Sequence, residues 1–167
     1  MAPSNTRRRL KLHMGDIWGS RVPVTISRGH NNVLPIAEYV LATMLLFAKS
    51  LPQAFRDQVR QAFDRREYRP VLLQGKTLGI VGLGGIGSAV ARLAKATGIR
   101  VLAIRRSITT AQQQVQEVDE LLPPSAQPTL LEQSDFVVLS AQRTPETDRI
   151  IGEAELHRME SSAYLVN

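Results

Sequence analysis

The stretch that decides the fold runs from residue 77 to residue 98 and reads TLGIVGLGGIGSAVARLAKATG. It opens with an apolar run, residues 77–81, that predicts a buried strand. Gly82, Gly84 and Gly87 follow at the spacing G-x-G-x-x-G, and a segment rich in small residues then predicts a helix. In this setting the first glycine allows a tight turn, the second lets the backbone approach a pyrophosphate, and the third lets helix and strand pack closely. The stretch therefore predicts a dinucleotide-binding turn.

Further short apolar runs extend this unit into a sheet. They lie at residues 101–104 (VLAI), 136–140 (FVVLS) and 163–166 (AYLV), and helical segments separate them. Continuous apolar strands alternating with helices indicate a parallel sheet that is covered on both faces. We therefore predict a doubly wound α/β domain. Its predicted helices span residues 85–97, 129–133 and 152–158, with a short strand at 115–118 and a loop at 122–128.

Two helices are predicted ahead of this unit. The first begins near Pro35 and runs to Ala48, because apolar residues recur there at helical spacing. The second covers residues 53–64 and carries Phe55, Val59 and Phe63 on one face.

The end of the second predicted strand indicates which cofactor is bound. In dinucleotide-binding units the residue about 20 positions beyond the glycine turn contacts the adenosine ribose. Here the chain has Arg105, Arg106 and Ser107, and no acidic residue occurs between Glu67 and Glu117. A carboxylate would accept hydrogen bonds from the 2′-hydroxyl of NAD, whereas guanidinium groups bind a 2′-phosphate through charge-assisted bonds. We predict NADP(H) in preference to NAD(H); the alternative is that both arginines belong to a solvated loop.

Composition excludes several other classes of protein. The chain has 167 residues, no cysteine and a formal net charge of +6. Without cysteine there is no disulfide, iron–sulfur cluster or thiol nucleophile. The three histidines have no carboxylate partner at a recognisable spacing and no metal-binding pattern, so neither a metal site nor a catalytic residue is predicted.

The uneven charge does not indicate nucleic-acid binding. Residues 1–30 carry +5 and residues 76–106 carry +6, whereas residues 107–167 carry −7. No aromatic residue interrupts the basic run Arg7–Arg9, so the stacking surface that single-stranded nucleic acids need is missing there. The apolar stretch at 39–48 is shorter than the roughly 20 residues of a membrane span. We expect a cytoplasmic protein that binds neither nucleic acid nor membrane.

Four segments carry a resemblance to a known family. They are PIAEYVLATMLLFAKSL (35–51), LQGKTLGIVGLGGIGSAVARLAKATGIRVLAIRRS (73–107), QSDFVVLSAQRTPETDRIIGEAEL (133–156) and MESSAYLVN (159–167). In this order they resemble the D-isomer-specific 2-hydroxyacid dehydrogenases, whose members transfer hydride between NAD(H) or NADP(H) and small 2-hydroxy or 2-keto acids. The resemblance implies a Rossmann-type NAD(P)-binding domain. The alternative is a non-catalytic nucleotide-binding or interaction module.

The resemblance also implies roles for particular residues. Gly85 and Ile86, at the start of the helix, would contact the pyrophosphate. Ala141, Gln142 and Thr147, in the loop after the strand at 136–140, would border the adenosine and nicotinamide parts of the cofactor.

This chain departs from the pattern of the family at three of these positions. Most members have aspartate where this chain has Arg105, and many have histidine where it has Ser140 and proline where it has Gln142.

Finally, the resemblance implies a division of the chain and a partner. Residues 1–30, with a strand at 22–27, would be a remnant of a substrate domain and hinge. Residues 31–167 would form a dinucleotide-binding domain that is incomplete at its C-terminal end. The catalytic arginine, glutamate and histidine of the family would lie beyond Asn167, so the chain alone is expected to be inactive. In the family the helix from Pro35 joins a dimer contact, and we expect it to pack away from the sheet with its apolar segment, residues 40–47, covered in a homodimer.

Overall fold

The structure, a computed structural model, describes residues 32–113 and 116–167. The predicted substrate-domain remnant at 1–30, with its strand at 22–27 and the basic run Arg7–Arg9, lies outside the described residues.

Helices and strands alternate along most of the described chain. The helices are α1 (Val33–Ala48), α2 (Leu51–Arg60), α3 (Gly85–Lys95), α4 (Gln127–Gln133) and α5 (Glu153–Arg158). The strands are β1 (Thr77–Val81), β2 (Arg100–Ile104), β3 (Gln112–Gln113), β4 (Glu120–Leu122), β5 (Phe136–Leu139) and β6 (Tyr164–Val166). Short 3-10 turns lie at Arg65–Glu67, Pro124–Ala126 and Pro145–Thr147.

The strands form one sheet in the order β3-β4-β2-β1-β5-β6. The five strands from β4 to β6 run parallel, and the two-residue β3 pairs antiparallel with β4 at one edge. From β1 the chain first adds β2 and β4 on one side and then β5 and β6 on the other. Such a reversal opens a crevice at the carboxyl ends of the central strands. The predicted parallel α/β sheet is confirmed.

Each central strand contributes to two separate apolar cores. In β1, Leu78 and Ile80 belong to the core under α1 and α3, whereas Val81 belongs to the core under α4. Strands β2 and β5 alternate in the same way, which is why these runs are apolar at nearly every position. Helices therefore cover both faces of the sheet, as the doubly wound prediction required.

Helix α1 packs mainly on α3 through the buried residues Ala37, Val40, Met44 and Ala48. The expectation that α1 packs away from the sheet is wrong for its last turn, where Phe47 stacks on Tyr164 of β6 with ring centroids 4.9 Å apart. Much of the segment 40–47 is thus covered within the chain: Val40 and Met44 are buried, and Leu41 and Leu45 are partly buried against the same core.

A sharp break separates α1 from α2. Ser50 has a φ of 54°, in the left-handed region, and Pro52 occupies the first turn of α2, where its missing N–H costs no hydrogen bond.

In the described part of the chain no single helix has the length and apolar character to cross a membrane. The pair α1 and α2 meets this test only together, with a bend of 64° between them.

Residue 115 of the strand predicted at 115–118 lies outside the described residues, and for residues 116–118 the prediction is wrong. The strand β4 lies instead at Glu120–Leu122, and its last residue falls within the predicted loop. Its position is set by β2, because the N–H of Val101 donates to the Asp119 carboxylate at 2.7 Å just before the two strands pair. Burial raises the pKa of Asp119, but the Val101 N–H and the Lys95 ammonium, 2.9 Å away, lower it more, so the pKa lies below its ordinary value. A three-residue strand that depends on these contacts leaves little periodicity in the sequence.

We expect Gly79→Ala to destabilise the fold. A Cβ at Gly79 would meet Oγ of Ser134 and, at 2.5 Å, Cδ2 of Leu130, so α4 would have to move away from β1. Overpacking of this kind costs about 1–3 kcal/mol of the free energy of unfolding, measurable by urea titration. Gly84→Ala is the control, because a Cβ there meets no described atom within 4 Å, and its stability should stay within about 1 kcal/mol of the parent. Equal stabilities of Gly79→Ala and the parent would contradict this packing.

Candidate functional site

The first glycine of the turn lies where the ends of three strands meet. Gly82 has a φ of +105°, and a Cβ on it would lie 2.6 Å from the backbone nitrogen of Ala141, after β5. The N–H groups of Gly82 and Leu83 both donate to the carbonyl of Ile104, at the end of β2, at 3.1 Å. The predicted tight turn is therefore confirmed, and only glycine fits its conformation and its contact with β5.

The third glycine brings α3 close to the turn. A Cβ on Gly87 would meet the carbonyl oxygen of Gly82 and would lie 2.8 Å from Oγ of Ser140. This is the close packing of helix and strand that the motif predicts. The packing of the chain itself thus explains why positions 82 and 87 require glycine.

Neither packing within the chain nor backbone conformation requires glycine at position 84. Its φ of −102° and ψ of −159° are extended backbone that any residue adopts, and a Cβ on it would meet no described atom within 4 Å. Gly84 is the N-cap of α3 and supplies no side-chain cap, so the first N–H groups of the helix receive no hydrogen-bond acceptor from its side chain. A helix N-terminus in this state attracts an anion. The open space has the chemistry that a pyrophosphate requires.

The second wall of the crevice follows β2. Arg105, Arg106 and Ser107 are exposed there, and the backbone N–H of Arg105 donates to the carbonyl of Leu122 at 3.2 Å. Among the described residues, neither guanidinium group forms a hydrogen bond or a salt bridge. The N–H donors of both guanidinium groups therefore remain for a ligand.

The third wall is the loop after β5, which contains Ala141, Gln142 and Thr147. The hydroxyl of Thr147 accepts a hydrogen bond from the N–H of Thr144 at 2.8 Å and donates one to the carbonyl of Gln142 at 2.6 Å. These two bonds show that Thr147 stabilises the conformation of the loop. Its predicted role beside the cofactor is a separate one. Pro145 occupies the first position of the 3-10 turn, where proline is favoured.

The loop after β5 also contains Glu146, which the sequence analysis did not identify as a site residue. A hydrogen bond from Thr144, the backbone N–H of Glu146 itself and the positive charge of Arg106 lower the pKa of the Glu146 carboxyl. The hydrogen bond from Thr144 has the largest effect on this pKa, and the charge of Arg106 has the smallest. The order Thr-Pro-Glu-Thr is a helix-start pattern that could have drawn attention to it.

The predicted cofactor residues all converge on one edge of the sheet. They follow β1 (Gly82, Gly84, Gly85, Ile86, Gly87), β2 (Arg105, Arg106, Ser107) and β5 (Ala141, Gln142, Thr147). These three strands are parallel neighbours with β1 in the centre, so their carboxyl ends lie together. Ser140, which was not selected, lies at the same edge and donates a hydrogen bond to the carbonyl of Gly82.

No candidate for metal binding lies within the described ranges, 32–113 and 116–167: they hold no group of three or more His, Asp or Glu side chains placed to bind an ion. His157 is exposed on α5, and its Nδ1 lies 2.8 Å from the carbonyl oxygen of Glu153. His13 and His30 lie outside the described residues.

Comparison with known proteins decides the family. Residues 41–167 match the model of the D-isomer specific 2-hydroxyacid dehydrogenase, NAD binding domain. The chain belongs to the D-isomer specific 2-hydroxyacid dehydrogenase family. The matched part is the NAD-binding domain, so this domain binds a nicotinamide dinucleotide.

Individual relatives agree with this assignment. The chain is 33% identical to D-3-phosphoglycerate dehydrogenase of Methanocaldococcus jannaschii, over 80% of this chain and 25% of the relative. It is 39% identical to glyoxylate reductase of Korarchaeum cryptofilum, over 78% of this chain and 40% of the relative. A glycerate dehydrogenase related protein from Thermoplasma acidophilum has a similar crystal structure, with a TM-score of 0.69, 34% identity and coverage of 79% of this chain and 44% of that one. The chain thus spans less than half the length of each.

We expect Gly84→Ser to separate cofactor binding from folding. Serine is a good N-cap, so the melting temperature should stay the same or rise, but its side chain would occupy the space before α3 and accept a hydrogen bond from its N–H groups. The loss of one charge-assisted bond to the pyrophosphate weakens binding of NADP(H) and NAD(H) about tenfold or more, as measured by calorimetry.

Gly152→Ser is the matched control for this prediction. Gly152 is also an N-cap in extended conformation, with φ −119° and ψ −162°, but it begins α5. This variant should bind the cofactor as the parent does. Unchanged affinity of Gly84→Ser would show that the space before α3 does not hold the pyrophosphate.

Proposed function

We propose that this chain supplies the cofactor-binding domain of an oxidoreductase that transfers hydride between NADP(H) and a small 2-hydroxy or 2-keto acid. The observation that carries the proposal is the open space at Gly84, because neither the fold nor the packing of the chain requires glycine at that position. The relatives named after glyoxylate and 3-phosphoglycerate support the class of substrate. The alternative, a non-catalytic nucleotide-binding module, is not favoured, because these relatives are a reductase and a dehydrogenase.

Each wall of the crevice has a part in holding the cofactor. The bound nicotinamide ring supplies the hydride chemistry. The first-turn N–H groups of α3 bind the pyrophosphate, and the turn at Gly82 holds them in place through its bonds to Ile104. The loop after β5, with Ala141 and Gln142 near its start, forms the opposite wall and is held in shape by Thr147.

The preference for NADP(H) rests on the arginines after β2. A 2′-phosphate at this rim would accept charge-assisted hydrogen bonds, each contributing about 1.5–3 kcal/mol when fully formed. Exposure to solvent lowers that contribution. Arg105 is the guanidinium group on which we base the test, because it directly follows β2, where the ribose of the cofactor is expected.

We expect the parent chain to bind NADPH about tenfold more tightly than NADH, which is the difference that one charge-assisted bond makes. Arg105→Asp should lose this preference, because a carboxylate repels the 2′-phosphate and accepts hydrogen bonds from the ribose of NADH. Isothermal titration of both cofactors onto both proteins measures the effect.

Arg65→Asp is the control for net charge, since Arg65 is exposed in the 3-10 turn at Arg65–Glu67, beyond α2. It should leave both affinities unchanged. Equal affinities of the parent for NADPH and NADH would reject the assigned preference while leaving dinucleotide binding intact.

The homodimer expected from the family resemblance is the second part of the proposal. Helix α2 buries only one of its ten residues, Asp57, and leaves its apolar face exposed. Val59 is 85% exposed, and Phe55 lies on the same face of the helix. The helix predicted at 53–64 ends at Arg60, because Gln61 is left-handed, so Phe63 lies beyond α2 and is 77% exposed there. Apolar side chains grouped in this way mark an interface on soluble proteins.

The cover we propose for this face is a second copy of the chain. Phe55, Phe63 and Tyr68 line an apolar concavity of about 410 Å³ on the same side. On α1, Leu34 and Tyr39 are 52% and 67% exposed, and they add further apolar area outside the core.

We expect sedimentation equilibrium to show a dimer whose dissociation constant rises about tenfold or more in Val59→Glu, because burying an unpaired carboxylate is costly. Leu156→Glu is the matched control: Leu156 is 51% exposed on α5 and should tolerate the charge without change in assembly. A parent chain that sediments as a monomer at every concentration would reject the homodimer.

A further inference from the structure

One side chain connects the loop after β5 to the glycine turn. Ser140 is the first residue after β5, and its backbone N–H donates to the carbonyl of Val81 at 3.0 Å, so the pairing of β5 with β1 continues to this position. Its hydroxyl donates to the carbonyl of Gly82 at 2.5 Å. Ser140 therefore binds the end of β1 with its backbone and the glycine turn with its side chain.

The hydroxyl of Ser140 also restricts the orientation of the peptide group between Gly82 and Leu83. The carbonyl of Gly82 and the N–H of Leu83 belong to the same peptide, and that N–H donates to the carbonyl of Ile104 at 3.1 Å. The peptide is thus held from β2 at its N–H and from Ser140 at its carbonyl. Because Gly82 has a φ of +105° and glycine is conformationally permissive, rotation of this peptide is restricted mainly by these two bonds.

The hydroxyl also lies against the first turn of α3. A Cβ on Gly87 would be 2.8 Å from Oγ of Ser140, as well as in contact with the carbonyl oxygen of Gly82. The hydroxyl thus lies between the turn and the helix whose N-terminus faces the open space at Gly84. A change in the turn peptide would therefore be transmitted to the N–H groups of this helix.

We propose that Ser140 is a positioning residue for pyrophosphate binding. Its hydroxyl fixes the Gly82–Leu83 peptide and so holds the N-terminal N–H groups of α3 in register with the loop after β5. Ser140 acts through the turn and not by contact with the cofactor. This inference rests on the proposed function, because it presupposes that the crevice binds a dinucleotide.

Two ligands separate this role from a general loss of stability. NADPH has both a pyrophosphate and a 2′-phosphate, whereas adenosine 2′-monophosphate has only the 2′-phosphate that Arg105 would bind. Loss of a neutral hydrogen bond that orients the turn should weaken NADPH binding of Ser140→Ala about two- to tenfold. The affinity for adenosine 2′-monophosphate should stay within about twofold of the parent, since its phosphate does not use the turn.

Two further variants complete the experiment. Ser140→Thr retains the hydroxyl and should bind NADPH more tightly than Ser140→Ala does. Ser134→Ala is the matched control: Ser134 is 1% exposed and donates a comparable bond to the carbonyl of Leu130 at 2.6 Å, but at the other end of β5. It should lower the melting temperature and leave both affinities unchanged.

The outcomes distinguish this inference from the function on which it rests. Binding of NADPH by Ser140→Ala as tight as by the parent, or equal weakening of both ligands, overturns the positioning role alone. A parent chain that binds neither NADPH nor NADH overturns the proposed function together with the positioning role. Weakening confined to NADPH, with rescue by threonine, supports both.

Discussion

The close approach of the Gly82 backbone to Ala141 is the constraint on which the rest of the structure depends. At this point β1 ends between β2 and β5, and the space that a Cβ would need is occupied by backbone atoms. The turn is held from β2 by the carbonyl of Ile104 and from β5 by the hydroxyl of Ser140. Because three strands meet there, the same contact that closes the core also aligns the walls of the cofactor crevice.

The two edges of the sheet differ in how their backbone N–H groups are satisfied. At the amino edge, carboxylates satisfy backbone N–H groups: Asp135 accepts from Thr77 at 2.9 Å and pairs with Lys76 at 2.7 Å, and Asp119 does the same for Val101 with Lys95. At the carboxyl edge, the N–H groups of α3 have no side-chain cap. The acids therefore stabilise the start of the strands, and the carboxyl edge keeps the uncapped helix N-terminus that would attract an anionic cofactor.

Helices α1 and α2 have different relations to this core. Helix α1 is anchored along α3 and, through Phe47, on β6. Helix α2 follows a left-handed residue, Ser50, and buries a single carboxylate, Asp57, to which Tyr68 donates a hydrogen bond at 2.9 Å. Burial and this bond to Asp57 raise the pKa of Tyr68. The apolar face of α2 is thus stabilised in position by polar bonds on its other side and left exposed.

The amino-acid sequence by itself determined the unit from β1 to α3, the parallel arrangement of the strands and the edge on which Gly84 and Arg105 lie. It could do so because these features leave local patterns in the sequence: fully apolar runs alternating with helical segments, glycines at fixed spacing, and a helix directly after them. Only the tertiary structure decided the position of β4, the contact of Phe47 with Tyr164, and the roles of Ser140 and Glu146. Most of these depend on a partner from a distant part of the chain, such as Val101 for Asp119 or Gly82 for Ser140, and such a partner leaves no periodicity or spacing in the sequence.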